Sequence, residues 1–154
     1  AADMICMSYH NTFKIPLSII RMENNYGENQ GNEKAIPVFI KHILSGKPVP
    51  LYGDGMHRRC WVYVKDTCAA IESLILGSKD GEIYNIGAKN EITNIDLLQR
   101  IGDILGLQYS INFIPDSEAR PGHDRRYGIE PRIKLSNDWK LEQVVEWYKQ
   151  KYQG

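Results

Sequence analysis

An α/β fold is what this sequence predicts, and three observations carry the prediction. Short β-rich runs recur along the chain; stretches with apolar residues at helical spacing separate them; and the two kinds of segment alternate from one end to the other. The same pattern also fits an α+β arrangement. There is no internal repeat and no low-complexity segment.

Residues 2–13 read as a helix, because Met4, Ile5, Tyr9 and Phe13 fall on one side of a 3.6-residue period. No capping residue precedes it, so the chain is expected to open inside a longer helix. Residues 16–22 (PLSIIRM) form a β-rich run, and NNYG at 24–27 has the composition of a loop. A helix is predicted over 36–45: Pro37 suits an early helical position, Ile36, Phe39, Ile40, Ile43 and Leu44 share a face, and Gly46 stops it. Val49–Tyr52 reads as a strand, YGDG at 52–55 as a turn, and 60–64 (CWVYV) as another strand. Asp66 is the predicted N-cap of a helix over 67–76. Residues 82–86 (EIYNI) follow as a strand. Thr93 or Asn94 then caps a helix that ends near Leu105, with Gly106 just past it. Alternation over 108–113 gives a strand, 115–131 a loop rich in Pro, Gly and charge, and Leu141–Tyr152 a closing helix. The apolar strands outnumber what these helices can cover, so partner strands are expected from outside the chain.

The chain has 154 residues, 42% hydrophobic and 25% charged, with nineteen basic residues balancing nineteen acidic ones. That composition suits one domain or part of a larger one. Charge balance gives no global attraction to nucleic acid or an anionic membrane, so any anion site must be local. Cys6, Cys60 and Cys68 form no CxxC pair and have no neighbouring ligands at metal spacing, which fits reduced thiols in a cytosolic protein. No apolar run reaches the ~18 residues a membrane span needs. The first residues lack the basic region of a signal peptide.

Three places could carry binding chemistry. Arg120-Pro121-Gly122-His123-Asp124-Arg125-Arg126 puts three arginines and a histidine beside a Pro-Gly turn. Guanidinium forks match phosphate oxygens, although a solvated charged loop has the same composition. Arg58 and Arg59 stand at the entrance of an apolar strand, either solvated or as a second arm of such a clamp. Asn24-Asn25-Tyr26-Gly27 directly follows a strand, where open α/β sheets place their ligand crevices; a plain turn is the alternative. No GxGxxG, Tyr-x-x-x-Lys, P-loop, HExxH or GxSxG occurs.

Taken in order, NNYG, EKAIP (33–37), GKPVPLYGDG (46–55), RCWVYVKD (59–66), GEIYNIGAKNE (81–91), NIDLL (94–98), ARPGHDRRYGI (119–129) and VEWY (145–148) resemble the extended short-chain dehydrogenase/reductase family. RPGHDRRY is particular to its nucleotide-sugar 4,6-dehydratases. The resemblance implies a Rossmann domain that binds NAD and a smaller C-terminal domain that binds the nucleotide sugar. Residues 1–27 would be a remnant of the first and 28–154 the second, with 59–90 possibly returning to the Rossmann sheet. It also places the catalytic Tyr-x-x-x-Lys and the acid/base pair before Ala1, so that no residue of this chain is catalytic and the chain alone is inactive.

The implied reaction, on the route to rhamnose, oxidises dTDP-glucose at C4 with NAD, removes water across C5 and C6, and returns the hydride to C6. This chain would supply binding and orientation. By the same resemblance Asn24 contacts the sugar nucleotide and Asn25 lies near NAD. Lys34 and Ala35 meet the diphosphate, and Pro50, Leu51 and Tyr52 line the base pocket. Arg59 and Arg120 clamp the diphosphate, with Asn94 as a further donor. Pro121, Gly122 and His123 shape that wall, and Tyr148 closes the pocket from the last helix. A cytoplasmic homodimer through the first helix is implied, with no nucleic acid, membrane or metal partner. The alternatives are a non-catalytic nucleotide-sugar-binding fragment and another enzyme of the family, such as a 4-epimerase or decarboxylase. Cys60, Ala119, Glu23, Glu28-Asn29-Gln30 and a short 127–147 stretch depart from the pattern and bear on base and sugar specificity.

Overall fold

The structure, a computed structural model, describes residues 1–118, 122 and 124–153. It is α/β, as predicted, with five helices and three small sheets among those residues. The elements are α1 (Ala2–Phe13), β1 (Ile19–Met22), β2 (Asn24–Tyr26), α2 (Ala35–Leu44), β3 (Val49–Tyr52), β4 (Arg58–Tyr63), α3 (Val64–Gly77), β5 (Ile83–Gly87), β6 (Glu91–Thr93), α4 (Asn94–Leu105), β7 (Ile111–Ile114), a 3₁₀ turn (Asp116–Glu118), β8 (Arg126–Tyr127), β9 (Ile133–Lys134) and α5 (Leu141–Gln153).

The sheet β1-β5-β9 is parallel throughout, with Ile19 opposite Ile83 and Ile86 opposite Ile133. The second sheet runs β2-β4-β6: β2 is parallel to β4, β6 is antiparallel to it, and β8 also pairs with β4. β3 and β7 form a parallel pair with Val49 opposite Ile111.

Two cores follow from these pairings. The main one lies among α2, α4, α5 and the inner faces of β2, β3 and β4. Ile36, Ile40, Val49, Leu97, Leu98, Ile101, Val144 and Tyr148 are completely buried there. Each such aliphatic or aromatic side chain contributes about 1.5–3 kcal/mol by leaving water. A smaller core joins α3 to β1, β5 and β9 through Ala70, Leu74, Tyr84 and Ile86.

Most elements fall where periodicity puts them, and the differences have local causes. Residues 24–26 form β2 rather than a loop, because Asn24, Asn25 and Tyr26 pair with Trp61, Val62 and Tyr63, and Tyr26 is buried. That ladder overrides the turn preference of Asn-Asn. Asp66 does not cap α3. The helix starts at Val64, straight off β4, with Tyr63 at the N-cap and no side-chain cap bond. Asp66 sits instead in the first turn, where a carboxylate still favours the helix dipole. The strand expected over 60–64 begins at Arg58, and those over 16–22 and 108–113 shrink to four residues each. The loop expected over 115–131 contains the 3₁₀ turn and β8. Thr93 is the cap of α4, accepting from Asp96 N at 3.1 Å, and Gly106 closes the helix at φ 63°.

α1 forms as predicted, yet none of its residues is buried; Met4, Ile5 and Phe13 are 75, 60 and 65% exposed. The Arg21 guanidinium holds it by donating to Asp3 Oδ2 from Nε and Nη2 at 2.8 and 2.6 Å.

Candidate functional site

One cavity of about 680 Å³ opens between β2, the start of α2, β3, β4 and the start of α4. Parallel pairing makes this convergence possible, since β2 lies beside β4 and α2 leads directly into β3.

From β2, Asn24 lines the cavity opposite Trp61, its partner in register, which lines it too. The next residue, Asn25, also borders the cavity but has its carboxamide engaged: Oδ1 accepts from Thr67 Oγ1 at 2.5 Å, and Nδ2 donates to Glu23 O at 3.2 Å. Strand alternation sends the two Asn side chains to opposite faces.

Lys34 and Ala35 lie where the chain enters α2. Lys34 is the N-cap residue, in extended conformation, and gives the helix no side-chain cap. The backbone N–H groups of that first turn therefore have no capping side-chain oxygen, an arrangement that favours an anion. Glu33 also borders the cavity, with Lys34 Nζ 3.4 Å from its Oε1. Its carboxyl is held below the usual range by its own backbone N–H and by Lys34.

Pro50, Leu51 and Tyr52 of β3 form a wall. The strand's alternation buries Leu51 in the main core and leaves Tyr52 41% exposed at the rim. Asn94 completes the lining from the first residue of α4, which two backbone bonds tie to the preceding turn: Asn94 N to His57 O (2.9 Å) and Ile95 N to Gly55 O (3.0 Å).

Arg59 borders the cavity although only 8% exposed. Its Nη1 donates to Arg58 O at 2.7 Å and its Nη2 to Asp124 O at 2.5 Å. The neighbouring Arg58 points the other way, toward Glu91 at 3.4 Å. The arginine-rich segment divides likewise: Arg125 pairs with Asp54 and Arg126 with Glu91. Arg120, Pro121 and His123 lie outside the described residues. Gly122 occupies a left-handed position, φ 73°, and is not among the described residues lining the cavity.

The structure thus brings Asn24, Asn25, Lys34, Ala35, Pro50, Leu51, Tyr52, Arg59 and Asn94 to one cavity. Tyr148 is a correction. It is completely buried and does not line the cavity; its hydroxyl is 3.1 Å from Gln30 O and 3.4 Å from Gly27 O, one layer behind the wall. Gln30, Val38, Phe39 and Trp61 line the cavity without having been expected there. Val38 and Phe39 belong to a helical apolar face and Trp61 to an apolar strand, patterns that signal core. Gln30 lies in a polar loop, where the only sequence signal is that Glu28-Asn29-Gln30 departs from the family pattern. No group of three or more metal-ligating side chains occurs among the described residues, and none of the described helices is long and apolar enough to cross a membrane.

Comparison with known proteins agrees with this architecture. The dTDP-glucose 4,6-dehydratase of Streptomyces niveus is 37% identical over 97% of this chain and 46% of its own length. The crystal structure of dTDP-glucose 4,6-dehydratase from Bacillus anthracis in complex with NAD superposes with a TM-score of 0.88 at 37% identity, over 99% of this chain and 50% of that one. UDP-glucuronic acid 4-epimerase from Bacillus cereus, solved with UDP-glucuronic acid and NAD, gives 0.86 at 27% identity, over 97% of this chain and 50% of that one. The chain spans about half the length of the curated relatives it matches. Residues 1–87 match the description "NAD dependent epimerase/dehydratase family", and the chain belongs to that family.

Proposed function

We propose that this chain is the nucleotide-sugar-binding part of a cytoplasmic NAD-dependent 4,6-dehydratase acting on dTDP-glucose. The observation that carries the reading is the meeting of Lys34, Arg59 and Asn94, from three separate elements, on a cavity that Pro50, Leu51 and Tyr52 also line. Two cationic side chains, the uncapped start of α2 and the Asn94 carboxamide suit a diphosphate. A wall with backbone groups and an aromatic rim suits a pyrimidine. Asn24 is then left for the hexose, and Arg120 is proposed as a second cationic arm on the same diphosphate. Holding the diphosphate at a distance from the reacting carbons fixes the hexose, so remote binding energy serves turnover as well as affinity.

NAD, when bound, supplies the hydride acceptor and donor. The residues present fit it at one place, the C-terminal ends of the parallel strands β1 and β5, where open α/β sheets bind ligands. Asn25, on β2 and three residues beyond the end of β1, is proposed to lie near it, with only one of its two amide hydrogens used by a described residue. The proposal therefore assigns residues 1–27 and part of 59–90 to the cofactor-binding sheet, which the β1–β5 pairing supports. The exposed apolar side of α1 is proposed to meet a second copy. Proton transfers are assigned to no residue of this chain.

Calorimetry of the full-length protein with dTDP, UDP and CDP tests the reading, together with product analysis on dTDP-glucose. The expectation is tightest binding of dTDP, formation of the 4-keto-6-deoxy sugar, and loss of roughly 10- to 150-fold in dTDP affinity on Arg59→Ala, the range for removing a charged hydrogen-bond partner. The 154-residue chain alone is expected to form no product even with NAD. A sugar epimerised at C4 would instead support the second reading, which the likeness to the B. cereus epimerase favours. Failure to bind any of the three nucleotides would overturn both.

A further inference from the structure

The segment 27–34, between β2 and α2, carries Gln30, Glu33 and Lys34 into the cavity wall. Its own bonds are few. Lys34 N donates to Gly31 O at 3.0 Å, and Gln30 Nε2 donates to Asn25 O at 2.9 Å. Its other anchors come largely from α5 and the residue before it, in matching order along the two segments. Lys140 N, just before the helix, donates to Tyr26 OH at 3.0 Å. Gln143 Nε2 donates to Glu28 Oε1 at 2.9 Å, and Glu28 also receives Tyr63 OH at 2.9 Å. Tyr148 OH is 3.1 Å from Gln30 O, and Tyr152 OH donates to Asn32 Oδ1 at 3.1 Å. The two tyrosines are one turn apart, about 6 Å along the helix axis, and their rings lie 5.6 Å apart. Their contacts at Gln30 and Asn32 lie just ahead of Lys34, the N-cap of α2.

We propose that Tyr148 and Tyr152 are positioning residues for the anionic part of the ligand: their hydroxyls fix the 27–34 segment and so set the place of Lys34 in the cavity wall, without touching the ligand. The inference rests on the reading of the cavity as a nucleotide-diphosphate site, and it gives α5 a part in binding although only the other side of the wall meets the ligand. Replacing Tyr by Phe keeps the ring packing and removes only the hydroxyl, which separates positioning from burial.

The test uses the full-length protein with Tyr148→Phe, Tyr152→Phe and the double variant. Amide hydrogen exchange over 28–34, dTDP affinity and Tm are measured for each. The double variant is expected to lose exchange protection in 28–34 and to weaken dTDP binding about five- to tenfold, the scale of one or two net hydrogen bonds. On a Lys34→Ala background the same pair of substitutions is expected to change affinity less than twofold, because the tyrosines act through that side chain. Unchanged protection of 28–34 in the double variant would overturn the proposal, as would an affinity loss fully additive with Lys34→Ala. If the parent itself binds no dTDP, the nucleotide-sugar reading fails separately, and the exchange measurement alone decides whether the hydroxyls hold the segment.

Discussion

Asp54 and Arg125 meet across 71 positions of sequence, with Arg125 Nη2 2.7 Å and Nη1 3.3 Å from the two carboxylate oxygens. The pair fastens the arginine-rich segment to the turn that follows β3, beside the rim residue Tyr52. Asp54 also accepts from Met56 N at 2.9 Å, closing its own turn. The Arg125 guanidinium and then the Met56 amide bring its carboxyl down from 3.8 to about 2. Because the folded-state value is the lower one, the stabilisation is fully present above pH 3.8 and is lost as pH falls through about 2. The carboxyl carbon resonance of Asp54 is therefore expected to titrate near 2, and Arg125→Gln to move that midpoint up toward 3.8. A midpoint that stays put in the variant would assign the shift to the Met56 amide alone. Both side chains are more than half exposed, so added salt should also raise it. Sequence could not announce this pair, since nothing local links Asp54 to Arg125. By contrast, the separation of Arg58 from Arg59 follows from strand alternation once β4 is known to start at Arg58.

At the scale of elements, α4 shows how a single cap positions the site. Thr93 is almost completely buried at the end of β6, its hydroxyl accepts from Asp96 N, and the next residue is the cavity-lining Asn94. Thr93→Ala is expected to cost about 1 kcal/mol of stability, within the usual 0.5–2 for a lost N-cap, and Thr93→Ser to recover most of it. Thermal or urea unfolding checks this; equal stability of all three proteins would show that the backbone bonds from Asn94 and Ile95 hold the helix start unaided. This cap was legible because Thr-Asn precedes an apolar helical period and Gly106 follows it. α2 was legible for the same kind of reason. β2 was not, because its Asn-Asn-Tyr sequence carries turn chemistry and becomes a strand only when Trp61, Val62 and Tyr63 come alongside. The start of α3 was misread because β4 passes into it with no intervening turn, leaving Asp66 one turn inside. β6, β8 and β9 are two or three residues long, too short for alternation to register.

For the whole molecule, the alternation of strands and helices makes the α/β class legible, while the pairing of β1 with β5 and of β3 with β7 is not. Those ladders join segments some 60 residues apart in sequence. They also divide the protein unequally. The main core holds completely buried side chains from α2, α4 and α5, whereas the core under α3 contains Ala70, Leu74 and Tyr84 at 8–9% exposure and only Ile86 close to fully buried. On the outer side of α3, Ile75 and Leu76 remain 77 and 85% exposed, and α1 adds no buried residue. With each fully buried side chain contributing about 1.5–3 kcal/mol, the α1-β1-β5-β9-α3 part has much less holding it closed. In the 154-residue chain, native-state hydrogen exchange is therefore expected to open β1 and β5 through a transition at least ~2 kcal/mol below that exposing α2, α4 and α5. Rising denaturant should merge the two openings, because a sub-global transition gives way to global unfolding. Exchange of both groups through one common opening from the start would mean that the small core is as cooperative as the large one, and that burial alone does not rank the two halves of this fold.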